Sequence, residues 1–290
     1  MGDGGTGKLW QALRRAILGI LEKGESGWQL EDLFLSAYAM VVQEQEALLH
    51  GGLREVMTDH LVNKVRPGIL ASPHDAFLRT PNQAWNDHRT RMNRIRDIVR
   101  YLEQVHVSRY RVCSIHKLGV LLFRDEVARH GDIQPKLQDC RLQTMSRDRE
   151  GEMVDKLSVK NACQILGKLG VNSRSVYEED FERPFMAESA KFHSLESQKQ
   201  LAEKCAIDYI DIAEQRINEE TQRARLYLDP GTERLIQQVV YQELVASHVN
   251  AIVAKEDSGV VALLKNQRVG DLTRIFRLRE RVQSSYGVCE

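Results

Sequence analysis

Proline interrupts this chain only six times in 290 residues, about 2% where average usage is about 5%. Proline removes a backbone donor and clashes with the preceding helical turn. Its scarcity lets helices run long and argues against many short strands joined by turns. The apolar pattern agrees. Met92, Ile95, Ile98/Val99, Leu102 and Val105 step by three or four through a segment otherwise filled with Arg, Asp and Glu, as in a helix that buries one stripe and solvates the other. Ile115, Leu118, Leu121/Leu122 and Phe123 open a more apolar helix, and Ala162, Ile165, Leu166 and Leu169 make another, stopped by Gly170. Residues 233–253 read as one further helix with Leu235, Val239, Ala246, Val249 and Val253 on one side, after a break at Asp229, Pro230, Gly231 and Thr232. Short breaks, among them residues 67–81, 131–135 and 151–158, divide the chain into about ten helices. No run alternates long enough to require a strand. The expected fold class is all-α, a stack of helical bundles.

Lys and Arg number 41 against 41 Asp and Glu, and a neutral balance argues against a general nucleic-acid or membrane-surface binder. No run approaches the roughly 18 apolar residues of a membrane helix. Cys113, Cys140, Cys163, Cys205 and Cys289 are odd in number and form no CxxC pair. They read as reduced thiols, so the expected location is cytoplasmic and nuclear. The nine histidines make no HExxH and no zinc spacing with cysteine. His88 and His116 read as cap or surface residues, and Arg91, Arg94, Arg96 and Arg100 as a solvated face offset by Asp97 and Glu103. No nucleophile–base arrangement can be argued from spacing. The expectation is therefore an interaction protein with no catalytic residue, no metal and no cofactor.

The start of the chain imitates two motifs. Gly2 to Lys8 matches the first part of GxxxxGK[ST], but a phosphate loop needs a strand before it and a hydroxyl after the lysine. Only Met1 precedes it, and Leu9 follows. Gly2 with Thr6 also fits the weak myristoylation pattern, where Asp3 is a poor neighbour. The expectation is a flexible tail over residues 1–7.

Residues 30–44 carry two apolar stripes. Leu33, Ala37 and Met40 form one; Leu30, Phe34, Tyr38 and Val41/Val42 form a second beside it. A helix packing on its own bundle needs only one. The second is either a docking surface with aromatic anchors or the far side of a fully buried helix, and periodicity leaves both open.

Several strings resemble the cullin family: Asn82-Gln-Ala-Trp-Asn-Asp-His88, Leu118-Gly-Val-Leu-Leu-Phe-Arg-Asp-Glu-Val127, Ser175-Val-Tyr-Glu-Glu-Asp-Phe-Glu182, Glu196-Ser-Gln-Lys199 and Arg216-Ile-Asn-Glu-Glu220, with Gly52-Leu-Arg-Glu-Val56 and Lys160-Asn-Ala-Cys-Gln164. Together they span nearly the whole chain, and within the family they are most similar to the branch that recruits BTB-domain adaptors. The resemblance implies an elongated stack of five-helix cullin repeats: repeat one at 8–131, repeat two at 132–253 and a partial third at 254–290. It implies a non-catalytic ubiquitin-ligase scaffold, which raises effective concentration by holding substrate and donor on one body.

In that family the adaptor docks on the second and fifth helices of the first repeat, here residues 30–44 and 115–129. Glu31 and Tyr38 match adaptor-contacting residues. Leu30, Phe34 and His116 stand where the branch has Phe, Tyr and Tyr, which implies altered affinity or adaptor choice. The branch also has an N-terminal extension that packs beside the adaptor, and residues 1–7 offer it no apolar side chain except Met1. The resemblance further implies that these 290 residues hold no C-terminal domain, no RING-subunit site and no NEDD8 acceptor. The expected partners are BTB adaptors, without RING subunit, nucleic acid or membrane. Alternative readings are a competitive decoy, a fragment of a longer scaffold, and a degenerate paralogue exposing Val260, Val261, Leu263 and Leu264. More distant is a nucleotide-binding enzyme using Gly2 to Lys8.

Overall fold

A computed structural model describes residues 3–24, 27–107, 113–256 and 258–286, and all its regular elements are helical. The described chain forms two compact units. The first comprises described residues of 1–158 with 165–173, and the second those of 159–164 with 174–290. The repeat boundary expected at 131/132 falls between helices, but this division into units lies elsewhere.

The first unit is built on α1 (Asp3–Lys23), α2 (Leu30–Val42), α3 (Glu46–His60), α4 (Arg66–Leu70), α5 (Arg79–Ile98), the short α6 (Arg100–Leu102), α7 (Ile115–Phe123) and α8 (Gln134–Arg149). Wider π-type turns at Leu61–Val65, Glu103–Val107 and Arg124–Ala128 continue α3, α6 and α7 without breaking the rod. The expected break at 67–81 is accordingly shorter: the chain is helical through Leu70, with Pro67 just after the π-type turn at Leu61–Val65, and resumes at Arg79. Helix α1 starts at Asp3, so the expected tail over residues 1–7 is helical from its third residue. The Asp3–Lys8 amides climb a helix instead of converging on a phosphate, which removes the structural basis of the nucleotide reading. Gly2 lies outside the described residues.

The strings that resemble cullins turn out to be packing devices. Asn82 is buried and donates to the Ser158 carbonyl at 2.9 Å. Trp85 and Phe123 meet in a T-shaped pair at a centroid distance of 5.1 Å. His88 bonds the Gly119 carbonyl through Nε2 at 2.9 Å, and a Cβ on Gly119 would lie 2.7 Å from the Met92 sulfur. Thus α5 and α7 approach at a glycine, with an imidazole satisfying a carbonyl in a dry contact. The surface-or-cap expectation for His88 is therefore wrong; the residue is 3% exposed. Gly52 plays the same part on α3, where an added Cβ would fall 2.2 Å from the Trp10 ring.

The second unit contains α10 (Ser175–Tyr177), α11 (Arg183–Glu203), α12 (Ala206–Tyr227), α13 (Pro230–Leu244), α14 (Val249–Ala254), α15 (Val260–Lys265) and α16 (Val269–Tyr286); α9 (Lys156–Leu169) contributes residues to both units. Between α10 and α11 the chain passes through another π-type turn, Glu178–Glu182. Tyr177, Phe181 and Phe185 follow in series: the first pair is tilted with centroids 5.5 Å apart, and the second is stacked at 5.3 Å. The Tyr177 hydroxyl and Thr232 lie 2.9 Å apart, Thr232 donates to Glu182 at 2.6 Å, and Arg174 donates to the same Glu182 oxygen at 2.8 Å. Burial pushes the Tyr177 hydroxyl up in pKa, which keeps it a neutral partner. A second network joins Arg216 to Glu196 and Glu219, and Arg223 to Glu220.

The expectation of one helix over 233–253 is also corrected. Helix α13 ends at Leu244, Val245 leaves helical geometry, and a short 3-10 turn, Ala246–His248, leads into α14. Its buried stripe is Thr232, Ile236, Val240 and Leu244, whereas Leu235 is exposed. A threonine satisfied by Tyr177 and Glu182 occupies a core position that an apolar pattern cannot reveal.

Candidate functional site

Helix α2 exists because Leu33, Ala37, Met40 and Val41 bury against the helices around it. Glu31 and Asp32 sit in its first turn, where the helix dipole favours acids, and Glu44 closes the end at a positive φ of 58°. The neighbouring side remains uncovered. Leu30 is 50% exposed, Leu35 59%, Tyr38 41% and Val42 58%. This removes the fully buried reading of the helix, since such a helix would cover the second stripe. Four large apolar side chains exposed along 13 residues form a contiguous face of the kind associated with binding surfaces.

The face has internal order. Phe34, half-buried, stacks toward Tyr38 with centroids 6.4 Å apart, and Tyr38 leans on Tyr101 of α6 at 4.6 Å. The three rings form a short ladder that fixes Tyr38 before anything docks, so less side-chain freedom is lost on association. Beside the ladder lies an open depression lined by Leu30, Glu31, Phe34, Leu35, Asp97 and Arg100.

The structure therefore gathers Leu30, Glu31 and Phe34 around one depression and sets Tyr38 one turn further along. His116 is exposed in the first turn of α7 and does not line that depression. Ser114 caps α7 by accepting from the Lys117 amide at 3.2 Å, while Ile115, Leu118 and Phe123 hold the helix in the core. Leu35 and Arg100 were not singled out as candidates from the sequence. Leu35 falls outside both expected stripes, beyond the second, and Arg100 read as one of four solvated arginines. Among the described residues no group of acidic, histidine and cysteine side chains could hold a metal ion, and no helix is long and apolar enough to cross a membrane.

A family model for the cullin alpha solenoid domain matches residues 10–288. The chain belongs to the cullin family. Its similarity to Cullin-3 of Caenorhabditis elegans is 35% identity over 284 residues, covering 97% of this chain and 36% of that protein. Cullin-3 of Dictyostelium discoideum is 33% identical over 275 residues, covering 95% and 36%. Cullin-4A of Mus musculus is 29% identical over 283 residues. The chain thus spans just over a third of the length of the curated relatives it matches. Every quoted string that resembles the family falls inside the matched span, so this cullin's scaffold was recognisable from residues that pack it.

Proposed function

We propose that this cullin is the adaptor-binding part of a ubiquitin-ligase scaffold and that it docks a BTB-domain substrate adaptor on the exposed face of α2. The observation that supports this reading is the uncovered row of Leu30, Leu35, Tyr38 and Val42 on a helix whose other side is fully packed. Glu31 and Tyr38 are the contacts this reading relies on most, with Leu30 and Phe34 forming the apolar floor beside them. The reading adds His116, exposed in the first turn of α7, as a peripheral contact. The scaffold makes no covalent bond itself; it contributes by raising the local concentration of substrate. Its expected place is the cytoplasm and nucleus, where such adaptors meet their substrates.

The test is calorimetric titration of the purified 290-residue protein against a panel of BTB domains from BTB–Kelch and BTB–MATH adaptors. At least one should bind at about micromolar or tighter. Tyr38→Ala should weaken that binding by about tenfold or more, as expected for an aromatic anchor, without lowering helix content. Failure of every panel member to bind more tightly than about millimolar defeats the reading.

A further inference from the structure

The depression beside Phe34 carries two charges that nothing within the described residues neutralises. It is lined by apolar Leu30, Phe34 and Leu35 and by charged side chains, Glu31 from α2 and Asp97 and Arg100 from the α5–α6 junction. Asp97 is engaged by Arg96 at 3.7 Å. Glu31 and Arg100, both exposed, have no hydrogen-bond or ion-pair partner among the described residues. An apolar depression lined also by one free anion on α2 and one free cation on α6 has a polarity. A partner entering in one sense meets opposite charges, and a partner entering in the other meets like charges. Complementary rim charges speed encounter and fix register, and like charges reject the wrong partner.

We propose that Arg100 selects among BTB adaptors, favouring those that seat an apolar side chain on Leu30, Phe34 and Leu35 while bringing a carboxylate to the guanidinium. An adaptor with a basic residue at that place is rejected, and Glu31 keeps the acidic residue on the Arg100 side. This rests on the docking reading above and adds to it the charge of the partner. Arginine suits the role because its planar fork takes a carboxylate through two parallel bonds. No internal ion pair has to break before it does so.

The experiment follows association and dissociation by surface plasmon resonance, using the tightest-binding BTB domain of the panel as probe. Wild type is compared with Arg100→Gln, Arg100→Glu and Tyr38→Ala, at about 50 mM and about 500 mM salt. Arg100→Glu should slow association about tenfold at low salt, with a smaller loss for Arg100→Gln. Both losses should shrink at high salt, where the screening length falls to a few Å. Dissociation should change little, and circular dichroism should be unaltered because the side chain is exposed. A panel domain presenting Lys or Arg at the contact should bind Arg100→Glu faster than wild type. If Arg100→Glu associates at the wild-type rate at low salt while Tyr38→Ala loses binding, Arg100 is a bystander and the docking reading stands. If Tyr38→Ala binds as wild type, or wild type binds no domain, the docking reading fails and this inference fails with it.

Discussion

His88 makes a quantitative demand on the first unit. Burial pushes its pKa from 6.5 down to about 4, reinforced by the nearby His60 and Arg91 charges and opposed by the bond to the Gly119 carbonyl. The folded protein therefore holds a neutral imidazole where the unfolded chain takes up a proton. The stability this contributes is fully present above pH ~6.5. It is lost progressively as pH falls from there to about 4, because the unfolded state binds more protons throughout that window. At ~1.36 kcal/mol per pH unit, the full loss is about 3 kcal/mol, a large share of the 5–15 kcal/mol typical of a domain. The assay is urea unfolding at pH 7.5, 6.5, 5.5 and 4.5, followed by tryptophan fluorescence. All three tryptophans, Trp10, Trp28 and Trp85, lie in the first unit, so the signal reports that unit. His60, in the same unit, also has a pKa lowered mainly by burial and adds a loss of the same sign, so the comparison must be differential. His88→Gln keeps an N–H for the Gly119 carbonyl and removes the titration. Its stability should lose about 1 kcal/mol per pH unit less than wild type between pH 6 and 4.5. Equal slopes for the two proteins, or a His88 resonance titrating near 6.5 in the folded state, would refute the reasoning.

Other outcomes follow from single contacts. Gly52→Ala should destabilise by about 1–3 kcal/mol, because its methyl group would enter the Trp10 ring. Gly51→Ala next to it, which meets nothing within 4 Å, should gain up to about 1 kcal/mol of helix propensity in the same urea assay. Thr232→Val should cost about 1–3 kcal/mol, since it takes the shared hydroxyl from buried Tyr177 and Glu182. Far-UV circular dichroism and amide exchange on the second unit would show that loss. Ser114→Ala should cost about 1 kcal/mol by uncapping α7, visible as faster exchange at the Lys117 amide.

Much of the helical pattern was legible because burial repeats with the helix. Met92, Ile95, Ile98, Val99 and Leu102 are all buried as their spacing implies. The pattern failed where polar chemistry replaced apolar area. Thr232 leads the buried stripe of α13 through hydrogen bonds, so Leu235 looked like the better core residue although it faces out. His88 failed for the same reason, since a buried imidazole is indistinguishable from a surface one until its carbonyl partner is known. The π-type turns left no trace, because one extra residue in a turn shifts the apolar phase without introducing Gly or Pro. At the candidate site, spacing showed that α2 has two apolar faces. It could not show which one its neighbours leave open, a property of the packed unit.

That distinction bears on what family membership can say about partners. The strings by which the chain resembles cullins place Asn82, Trp85, His88, Gly119, Tyr177, Glu182 and Glu220 in buried contacts, where a change of one methyl group or one hydrogen bond costs stability. The uncovered side of α2 is under no such packing constraint: Leu35, Tyr38 and Val42 are exposed beside the buried Leu33, Ala37 and Met40 on the same helix. Substituting an exposed residue there leaves the scaffold nearly as stable, usually within about 0.5 kcal/mol, yet it alters the surface a partner meets. Two chains can therefore share the scaffold and differ in adaptor. On the proposed docking reading, the residues that set the difference are those at the outward positions of α2, with Asp97 and Arg100 beside them. Partner choice in this cullin is best sought by varying those positions one at a time, with the stability of the first unit as the control that the scaffold has not moved.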